Sequence, residues 1–314
     1  MMKMNHWFTN RDCCPACNGK VVTQLLALPY LDPAIKIYLE SFYNSQGSID
    51  FSYLHDVDYI ISKCVVCNLI FQKNIPSDEL MEILYGKWID PLKVFYLKDG
   101  CKDIEYFLNY SKQIANVIKY FGKKPKDLVF LDFGMGWGHW CRVAKSYHCK
   151  VYGNELTTSR IQYAKNEGIE VISKEDISKT KFDFINIDNV FEHISTPLEV
   201  LAYLKKSLKP DGLIRIYVPN GLNIENKIRN FKLAKIKLGK INEIAPLEHI
   251  NCFNHESLIE MGKRVGLREV RVKPVYINTF GDLVDTRVLQ SLYRFIGKRS
   301  TDVYFAQDGY KELN

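Results

Sequence analysis

The sequence predicts an α/β protein in which a doubly wound parallel sheet follows a small metal-binding module. Three observations predict this fold class. Strand-like and helix-like segments alternate between residues 128 and 218, which is typical of a parallel sheet with right-handed crossovers. A glycine-rich turn at residues 134–138 follows the first of these strands. Two Cys-x-x-Cys pairs precede the alternating region.

The elements of the sheet domain are placed by their hydrophobic periodicity and by the turn residues between them. They are expected as strand 128–133, helix 137–146, strand 150–155, helix 158–166, strand 169–172, strand 183–188, helix 197–208 and strand 213–218. Beyond residue 219 the pattern weakens, and we expect a lysine-rich helical insertion near 221–245. The fold is then completed by a helix at 256–265, a strand at 268–275, a helix beyond residue 279 and a last strand at 303–306.

Four of the nine cysteines form the two pairs, which are Cys14 with Cys17 and Cys64 with Cys67. An odd number of scattered cysteines is not the pattern of a disulfide scaffold. Four thiolates are instead the ligand set that a structural Zn²⁺ prefers, with Cys13 and His55 as substitute ligands. We therefore predict a zinc-binding module at residues 1–76, a helical linker region at 77–124 and the sheet domain at 125–314.

Composition limits the classes of function. No apolar run approaches the roughly 20 residues that span a bilayer, and Met1 to Arg11 has no apolar stretch of signal-peptide type, so a cytoplasmic protein is expected. The formal charge of +7 is mild and much of the excess lies in lysine-rich stretches, so a nucleic-acid partner is not indicated. Neither composition nor motif determines the oligomeric state.

The glycine turn indicates a bound cofactor, because glycine lets the backbone approach a ligand at the carboxyl end of a strand. Its spacing is Gly-x-Gly-x-Gly, and the next position is His139 rather than the glycine that a dinucleotide-binding fingerprint requires. Acidic or amide residues also follow three later strands, at Glu155, Asp176 and Asp188-Asn189. Each alone would be an ordinary loop residue, but together they predict one cleft.

With these motifs, residues 128–275 resemble a class I S-adenosylmethionine-dependent methyltransferase, which implies a Rossmann-like sheet. The matching segments are Asp132-Phe133-Gly134-Met135-Gly136-Trp137-Gly138, Gly153-Asn154-Glu155, Glu175-Asp176-Ile177, Phe182-Asp183-Phe184-Ile185 and Leu208-Lys209-Pro210-Asp211-Gly212. Asn189-Val190-Phe191-Glu192-His193-Ile194 and Leu247-Glu248-His249-Ile250-Asn251-Cys252-Phe253 are similar to the subgroup that includes deoxysugar C-methyltransferases. That subgroup often carries an N-terminal zinc module.

The resemblance implies a cofactor site on the glycine turn. Its implied members are Gly134, Gly136 and Gly138 at the methionine and ribose end, Glu155 at the ribose, Asp132 at the amino group, Asp176 with Ile177 at the adenine, Trp137 as a cover, and Asn189 at the fourth strand end. The physical chemistry agrees, because a carboxylate at the mouth of the turn favours a ligand that carries both a sulfonium and an ammonium group.

For the proton that leaves the acceptor, the candidates are His249, His193, Tyr85 and His139. In the resembling sugar C-methyltransferases, the motif that contains Glu248 and His249 carries the base. Tyr85 matches their N-terminal active-site tyrosine, although Gly86-Lys87-Trp88 replaces the tyrosines expected after it. A single histidine is more often structural, so these assignments remain expectations.

The predicted function is methyl transfer to a small, anionic acceptor such as a nucleotide-linked or surface-glycan sugar. The lysine-rich insertion suits a diphosphate, but it equally suits a solvated helix face. Two alternatives stay open, which are O- or N-methylation of a secondary metabolite and a zinc-containing protein that binds or modifies RNA. The methylated atom and the acceptor are not determined by the sequence.

Overall fold

The computed structural model describes residues 6–99, 102–234, 241–274 and 300–309. The strands are β1 (Phe8–Asn10), β2 (Val22–Pro29), β3 (Asp58–Cys64), β4 (Ile70–Gln72), β5 (Asn74–Pro76), β6 (Val129–Phe133), β7 (Lys150–Asn154), β8 (Glu170–Val171), β9 (Phe182–Asp188), β10 (Leu208–Tyr217), β11 (Asn251–Cys252), β12 (Leu267–Val270) and β13 (Asp302–Gln307).

The α-helices are α1 (Pro33–Tyr43), α2 (Asp78–Ile83), α3 (Pro91–Val94), α4 (Ile104–Phe121), α5 (His139–Ser146), α6 (Thr158–Asn166), α7 (Lys174–Ile177), α8 (Pro197–Lys206), α9 (Ile224–Ala234) and α10 (His255–Arg264). Wider π-helical turns occupy Leu84–Trp88 and Phe95–Asp99, and 3₁₀ turns occupy Phe51–Leu54, Pro125–Asp127 and Asn242–Ile244. In the described residues, no helix is both long and apolar enough to cross a membrane.

The chain divides into two compact units. The first, called the cysteine unit, comprises Met1–Cys101, Phe191–Leu198 and Pro219–Met261. The second, called the sheet unit, comprises Lys102–Val190, Glu199–Val218 and Gly262–Asn314. The chain therefore crosses from the sheet unit into the cysteine unit directly after Val190.

The cysteine unit is built on a four-stranded sheet of order β11-β4-β3-β2, with antiparallel neighbours throughout. Its outer strand β11 pairs Asn251 with Phe71 of β4, so a segment from late in the chain completes a sheet that begins near the N-terminus. Large aromatic side chains, including Tyr30, Tyr43 and Tyr59, fill its core. Burial of this apolar surface is the main force that holds the distant segments together.

The sheet unit contains a seven-stranded sheet of order β12-β13-β10-β9-β6-β7-β8. Strands β8, β7, β6, β9 and β10 are parallel to one another, and helices connect them, so the predicted α/β, Rossmann-like fold class is confirmed. The last strand, β13, is antiparallel to both β10 and β12. The expectation of a parallel sheet therefore fails at this edge, because β13 returns from the opposite direction and inserts between two earlier strands.

One predicted turn lies within a strand. The expected helix 197–208 and strand 213–218 leave a turn at residues 209–212 between them, but α8 ends at Lys206, and β10 begins at Leu208 and shifts register between Leu208 and Leu213. A bulge of this kind absorbs extra residues without ending the strand. The strand expected at 268–275 is shorter in the structure: β12 ends at Val270, and residues 271–274 form no strand. The helix expected beyond residue 279 and lysines 235, 237 and 240 of the insertion lie outside the described residues.

Candidate active site

The glycine turn is shaped by three left-handed backbone positions. Gly134, Gly136 and Gly138 have φ angles of 76°, 56° and 75°, a region that side chains other than glycine rarely adopt. A Cβ atom on Gly134 would lie 2.5 Å from Cγ2 of Val190, and one on Gly138 would lie 2.4 Å from Cδ1 of Ile169. A Cβ atom on Gly136 would meet nothing within 4 Å. The two ends of the turn are therefore packed, whereas its middle faces open space.

Glu155 joins the end of β7 to this turn. Its Oε2 accepts a hydrogen bond from the Gly136 N–H at 3.1 Å, and its Oε1 accepts from the N–H groups of Leu156 and Thr157 at 2.8 and 2.9 Å. Nη1 of Arg160 lies 3.7 Å from Oε2. The Glu155 side chain, which is 9% exposed, thus links the segment after β7 to the glycine turn after β6.

Asp132 lies on β6, two residues before the turn, and is 3% exposed. Its Oδ1 accepts a hydrogen bond from Nδ2 of Asn186 at 2.8 Å, and Sγ of Cys141 lies 3.6 Å from Oδ2. Burial raises the pKa of Asp132 to about 7, because removal from water disfavours the charged form. The negative charge expected at the mouth of the turn therefore depends on pH in the physiological range.

A buried arginine that the sequence analysis did not single out organises the charges behind Asp132. Arg215, on β10, is 5% exposed. Its guanidinium donates to Oδ1 of Asn186 at 2.9 Å and to Oδ2 of Asp188 at 3.0 Å. It also binds both carboxylate oxygens of Asp302, at 2.7 and 3.1 Å. The sequence does contain a sign of this residue, because Arg215 is the charged residue within the apolar run Leu213-Ile214-Arg215-Ile216. A charge that is buried in a strand requires partners, so such a residue indicates a buried ion pair.

The other residues predicted to contact the cofactor are Asp176, Ile177, Asn189 and Trp137. Asp176, Asn189 and Trp137 contact neighbouring residues of the sheet unit through their side chains. The Asp176 side chain is exposed and accepts hydrogen bonds from Lys179 and Ser173, which lower its pKa. Ile177 is fully buried. Asn189 has a φ of 53° and donates to Asp188 at 2.6 Å. Trp137 is 4% exposed, and its ring meets the edge of Tyr163 at 5.2 Å between centroids.

A second group of predicted residues comes together within the cysteine unit. Tyr85 Oη lies 3.4 Å from His193 Nδ1, and that nitrogen lies 3.0 Å from the backbone oxygen of Glu248. The rings of His193 and His249 meet edge to face, with centroids 4.7 Å apart. Glu192, which is 1% exposed, places Oε1 4.0 Å from His193 Nε2. We call these five residues the histidine cluster.

Burial gives the histidine cluster its electrostatic character. It lowers the pKa of His249, which keeps that imidazole neutral at pH 7. Because a backbone carbonyl can only accept a hydrogen bond, Nδ1 of His193 carries a proton when it binds the Glu248 oxygen. Nε2 of His193 then has a lone pair and faces the Glu192 carboxylate. The cluster can therefore accept a proton or bind a cation.

Three features position the histidine cluster. Tyr85 lies in the π-helical turn Leu84–Trp88, a wide turn that frequently occurs at functional sites. Leu247, directly before Glu248, is buried with a φ of 74°, which is strained for a residue with a Cβ atom. Gln72 is fully buried and its Nε2 donates to the backbone oxygens of Ala245 and His249, at 2.8 and 3.0 Å, which secures that strained segment.

Asn251 holds the other side of the cluster. Its Nδ2 donates to the backbone oxygens of Phe191 and Ile194 at 2.8 and 2.7 Å, and its backbone N–H donates to the backbone oxygen of Glu192 at 3.1 Å. Arg11 in turn donates to Oδ1 of Asn251 at 2.8 Å. Glu192 and Asn251 belong to the two motifs at 189–194 and 247–253, and Gln72 follows the second cysteine pair. Their structural roles depend on contacts between residues far apart in the chain.

A family sequence model described as a methyltransferase domain matches residues 106–272, more than half of the chain. The chain belongs to the methyltransferase domain family. The prediction of a class I S-adenosylmethionine-dependent methyltransferase is thereby confirmed at the level of the family.

Individual relatives share less than 30% sequence identity with this chain. The chain is similar to a ubiquinone biosynthesis O-methyltransferase of Haemophilus ducreyi, with 29% identity over 161 residues, covering 45% of this chain and 63% of the relative. An uncharacterized protein of Methanocaldococcus jannaschii is 28% identical over 191 residues, covering 60% of this chain and 78% of that protein. The chain thus spans just under two thirds of the length of the ubiquinone relative.

Among solved structures, the plantazolicin methyltransferase BamL in complex with a triazolic desmethylPZN analog and SAH is similar, with 16% identity and a TM-score of 0.46. That similarity covers 72% of this chain and 92% of BamL.

The four paired cysteines of this methyltransferase-family chain form a compact buried group. Sγ atoms of Cys14 and Cys67 lie 3.5 Å apart, those of Cys17 and Cys64 lie 3.6 Å apart, and all four lie within 4.8 Å of one another. A tetrahedral zinc ion with Zn–S bonds of about 2.3 Å separates its sulfurs by about 3.8 Å. The geometry therefore fits one Zn²⁺.

The two cysteine turns are built alike. Each reads Cys-x-x-Cys-Asn, with the asparagine in the left-handed region, at a φ of 59° for Asn18 and 61° for Asn68. In both turns the asparagine N–H donates to the backbone oxygen of the first cysteine. Asparagine tolerates this conformation better than most residues, so the local sequence itself shapes each half of the site. Cys13 lies outside the group, with Sγ 4.0 Å from Oδ1 of Asn18.

Proposed function

We propose that this chain transfers a methyl group from S-adenosylmethionine to a small, anionic acceptor, with a nucleotide-linked or surface-glycan sugar as the acceptor class. Membership of the methyltransferase domain family supports the reaction type. The observation that carries the proposal is the histidine cluster, because two imidazoles beside buried carboxylates supply the proton acceptor that methylation of a hydroxyl or an activated carbon requires.

The glycine turn and Glu155 fit the cofactor. The open space at Gly136 leaves room for it at the middle of the turn, and Glu155 stands beside that residue to accept hydrogen bonds from ribose hydroxyls. Asp132, when ionised, would favour the ammonium group. Trp137, Asp176, Ile177 and Asn189 are proposed to complete the site at the adenine and the strand ends. When bound, the cofactor supplies an electrophilic methyl group.

The histidine cluster is proposed to handle the acceptor. His249 is the proposed base, since burial keeps its imidazole neutral and able to take a proton at neutral pH. His193 has a fixed tautomer and is proposed to orient the acceptor, while the Tyr85 hydroxyl oxygen accepts a hydrogen bond from its Nδ1–H. Glu248 is proposed to support the pair through its backbone oxygen and its charge.

Two described lysines in and near the insertion are paired with carboxylates. Lys227 pairs with Glu243 at 2.5 Å, and Lys63 pairs with Glu225 at 2.6 Å. These pairs favour a solvated, ion-paired helix face for the described part of the insertion.

A second candidate is O-methylation of a phenolic or other hydroxylated metabolite. It is favoured by the similarity to a ubiquinone biosynthesis O-methyltransferase. The same histidine cluster would remove a hydroxyl proton from either kind of acceptor, so the two candidates differ in acceptor rather than in proton transfer.

The cysteine group is proposed to hold one structural zinc ion. Four buried sulfur atoms within 4.8 Å of one another can be thiolates together only if a cation compensates their charge. Gly19 leaves room at this site, since a Cβ atom there would lie 3.2 Å from Sγ of both Cys17 and Cys64.

The test uses the purified chain, S-adenosylmethionine with a labelled methyl group, and a panel of nucleotide sugars and hydroxylated aromatic compounds. We expect methylation of one acceptor class and roughly 10²-fold lower turnover in His249→Ala, with unchanged affinity for S-adenosylhomocysteine. His193→Ala should affect both acceptor affinity and turnover. His148→Asn, at an exposed loop position, is the matched control. Tighter binding of a nicotinamide dinucleotide than of S-adenosylhomocysteine would refute the cofactor assignment.

A further inference from the structure

We propose that Glu192, His193 and His249 form a binding site for one divalent transition-metal ion, separate from the four cysteines. One ligand atom from each of the three side chains lies within 4.8 Å of the other two. Two imidazoles and one carboxylate are a ligand set that binds first-row transition metals and leaves further coordination positions open. This site goes beyond the proposed methyl transfer and does not depend on it.

The two rings have the separation that a shared ion requires. With a metal–nitrogen bond of about 2.1 Å, an imidazole centroid lies about 3.2 Å from the ion. Centroids 4.7 Å apart then subtend an angle of about 90° at the ion. Neighbouring ligands of octahedral and distorted tetrahedral ions form angles of this size, so the separation of the rings is compatible with one shared ion.

His193 is oriented in the way that metal-binding histidines usually are. Its Nδ1–H donates to the backbone oxygen of Glu248 at 3.0 Å, which leaves Nε2 as the nitrogen with a lone pair. Nε2 lies 4.0 Å from Oε1 of Glu192. This distance is too long for a hydrogen bond but matches two ligands of one ion, which are about 3 to 4 Å apart at bond lengths of about 2.1 Å.

Burial and charge favour the ion as well. Glu192 is 1% exposed, and a buried carboxylate gains more from a nearby cation than an exposed one does. The donors are nitrogen and oxygen, which suit Zn²⁺, Ni²⁺, Co²⁺ or Fe²⁺, whereas Mg²⁺ prefers oxygen alone. The cysteine group offers only sulfur, so the two sites differ in the spectrum of a bound ion.

Because the ion would occupy the imidazole lone pairs, it competes with protons for the same nitrogens. Metal loading is therefore expected to inhibit methyl transfer by the chain, if His249 is the base of that reaction. This consequence depends on the proposed function, but binding of the ion does not.

The experiment is a cobalt titration of the full chain, purified without a histidine tag, after one equivalent of zinc per chain has filled the cysteine group and dialysis has removed zinc bound elsewhere. No acceptor or cofactor is added, so the outcome is independent of whether the chain transfers methyl groups. We expect one further ion per chain, with the weak visible bands of cobalt bound by nitrogen and oxygen. The intense near-ultraviolet sulfur-to-cobalt band should be absent.

His249→Ala and Glu192→Gln should each weaken cobalt binding by at least about 10-fold, and the exposed control His148→Asn should not change it. Thermal unfolding checks that each variant is folded, and His249→Ala decides the result if the more buried Glu192→Gln does not fold. The proposal is overturned if no further ion binds, if the folded His249→Ala variant binds cobalt as the wild type does, or if the added cobalt shows a sulfur band.

Discussion

Asp132→Asn is the substitution for which the structure gives the clearest magnitude. Burial raises the pKa of Asp132 to about 7, whereas an aspartate in the unfolded chain titrates near about 3.9. Between these values the folded chain keeps a proton that the unfolded chain has lost, so the free energy of unfolding falls as the pH rises. Asparagine has nearly the shape of a protonated aspartate, and its Oδ1 can still accept from Asn186. The substitution Asp132→Asn therefore removes this contribution to the pH dependence of the free energy of unfolding.

The size of the effect follows from the two pKa values. Relative to the asparagine variant, the free energy of unfolding of the wild type is expected to be lower by roughly 1.5 kcal/mol at pH 5 and by roughly 4 kcal/mol at pH 8. The gap in the free energy of unfolding should thus widen by about 2.5 kcal/mol between these pH values. Effects of other titrating groups cancel, because both proteins contain them.

The assay is urea unfolding of both proteins at pH 5 and pH 8, followed by the transition that unfolds the sheet unit. A gap that is equal at the two pH values would refute the argument that burial holds the proton on Asp132. A companion measurement addresses function. If ionised Asp132 faces the ammonium group of the cofactor, wild-type affinity for S-adenosylhomocysteine should exceed that of the variant at pH 8 and approach it at pH 6.

Three further variants have defined outcomes. Glu155→Ala should weaken S-adenosylhomocysteine binding by at least ~1.5 kcal/mol in calorimetry, since it removes charge-assisted hydrogen bonds, and unchanged affinity would exclude the ribose contact. Changing Cys64 and Cys67 together to Ser should remove about one zinc per chain in metal analysis and make the cysteine unit sensitive to protease. Absence of zinc from the wild-type protein, purified without chelators, would contradict this prediction. Arg215→Met should lower the free energy of unfolding by about 3 to 5 kcal/mol, because it leaves buried carboxylates without their cation, and an unchanged urea midpoint would count against that role.

The sequence alone determined the features that neighbouring residues encode. The alternation of strands and helices, the glycine turn and the two Cys-x-x-Cys-Asn turns each follow from residues that are adjacent in the chain. The strands β6, β7 and β9 lie within a residue or two of their predicted bounds. Such features are predictable because periodicity and backbone freedom are local properties.

Only the tertiary structure decided which distant residues meet. It placed Tyr85, His193 and His249 in one cluster and paired Asn251 of β11 with Phe71 of β4. The same is true of Arg215 and Asp302, which meet because β13 inserts antiparallel beside β10. These pairings depend on which strand edges and apolar faces bury each other, and that free energy belongs to the packed chain as a whole rather than to any short segment of it.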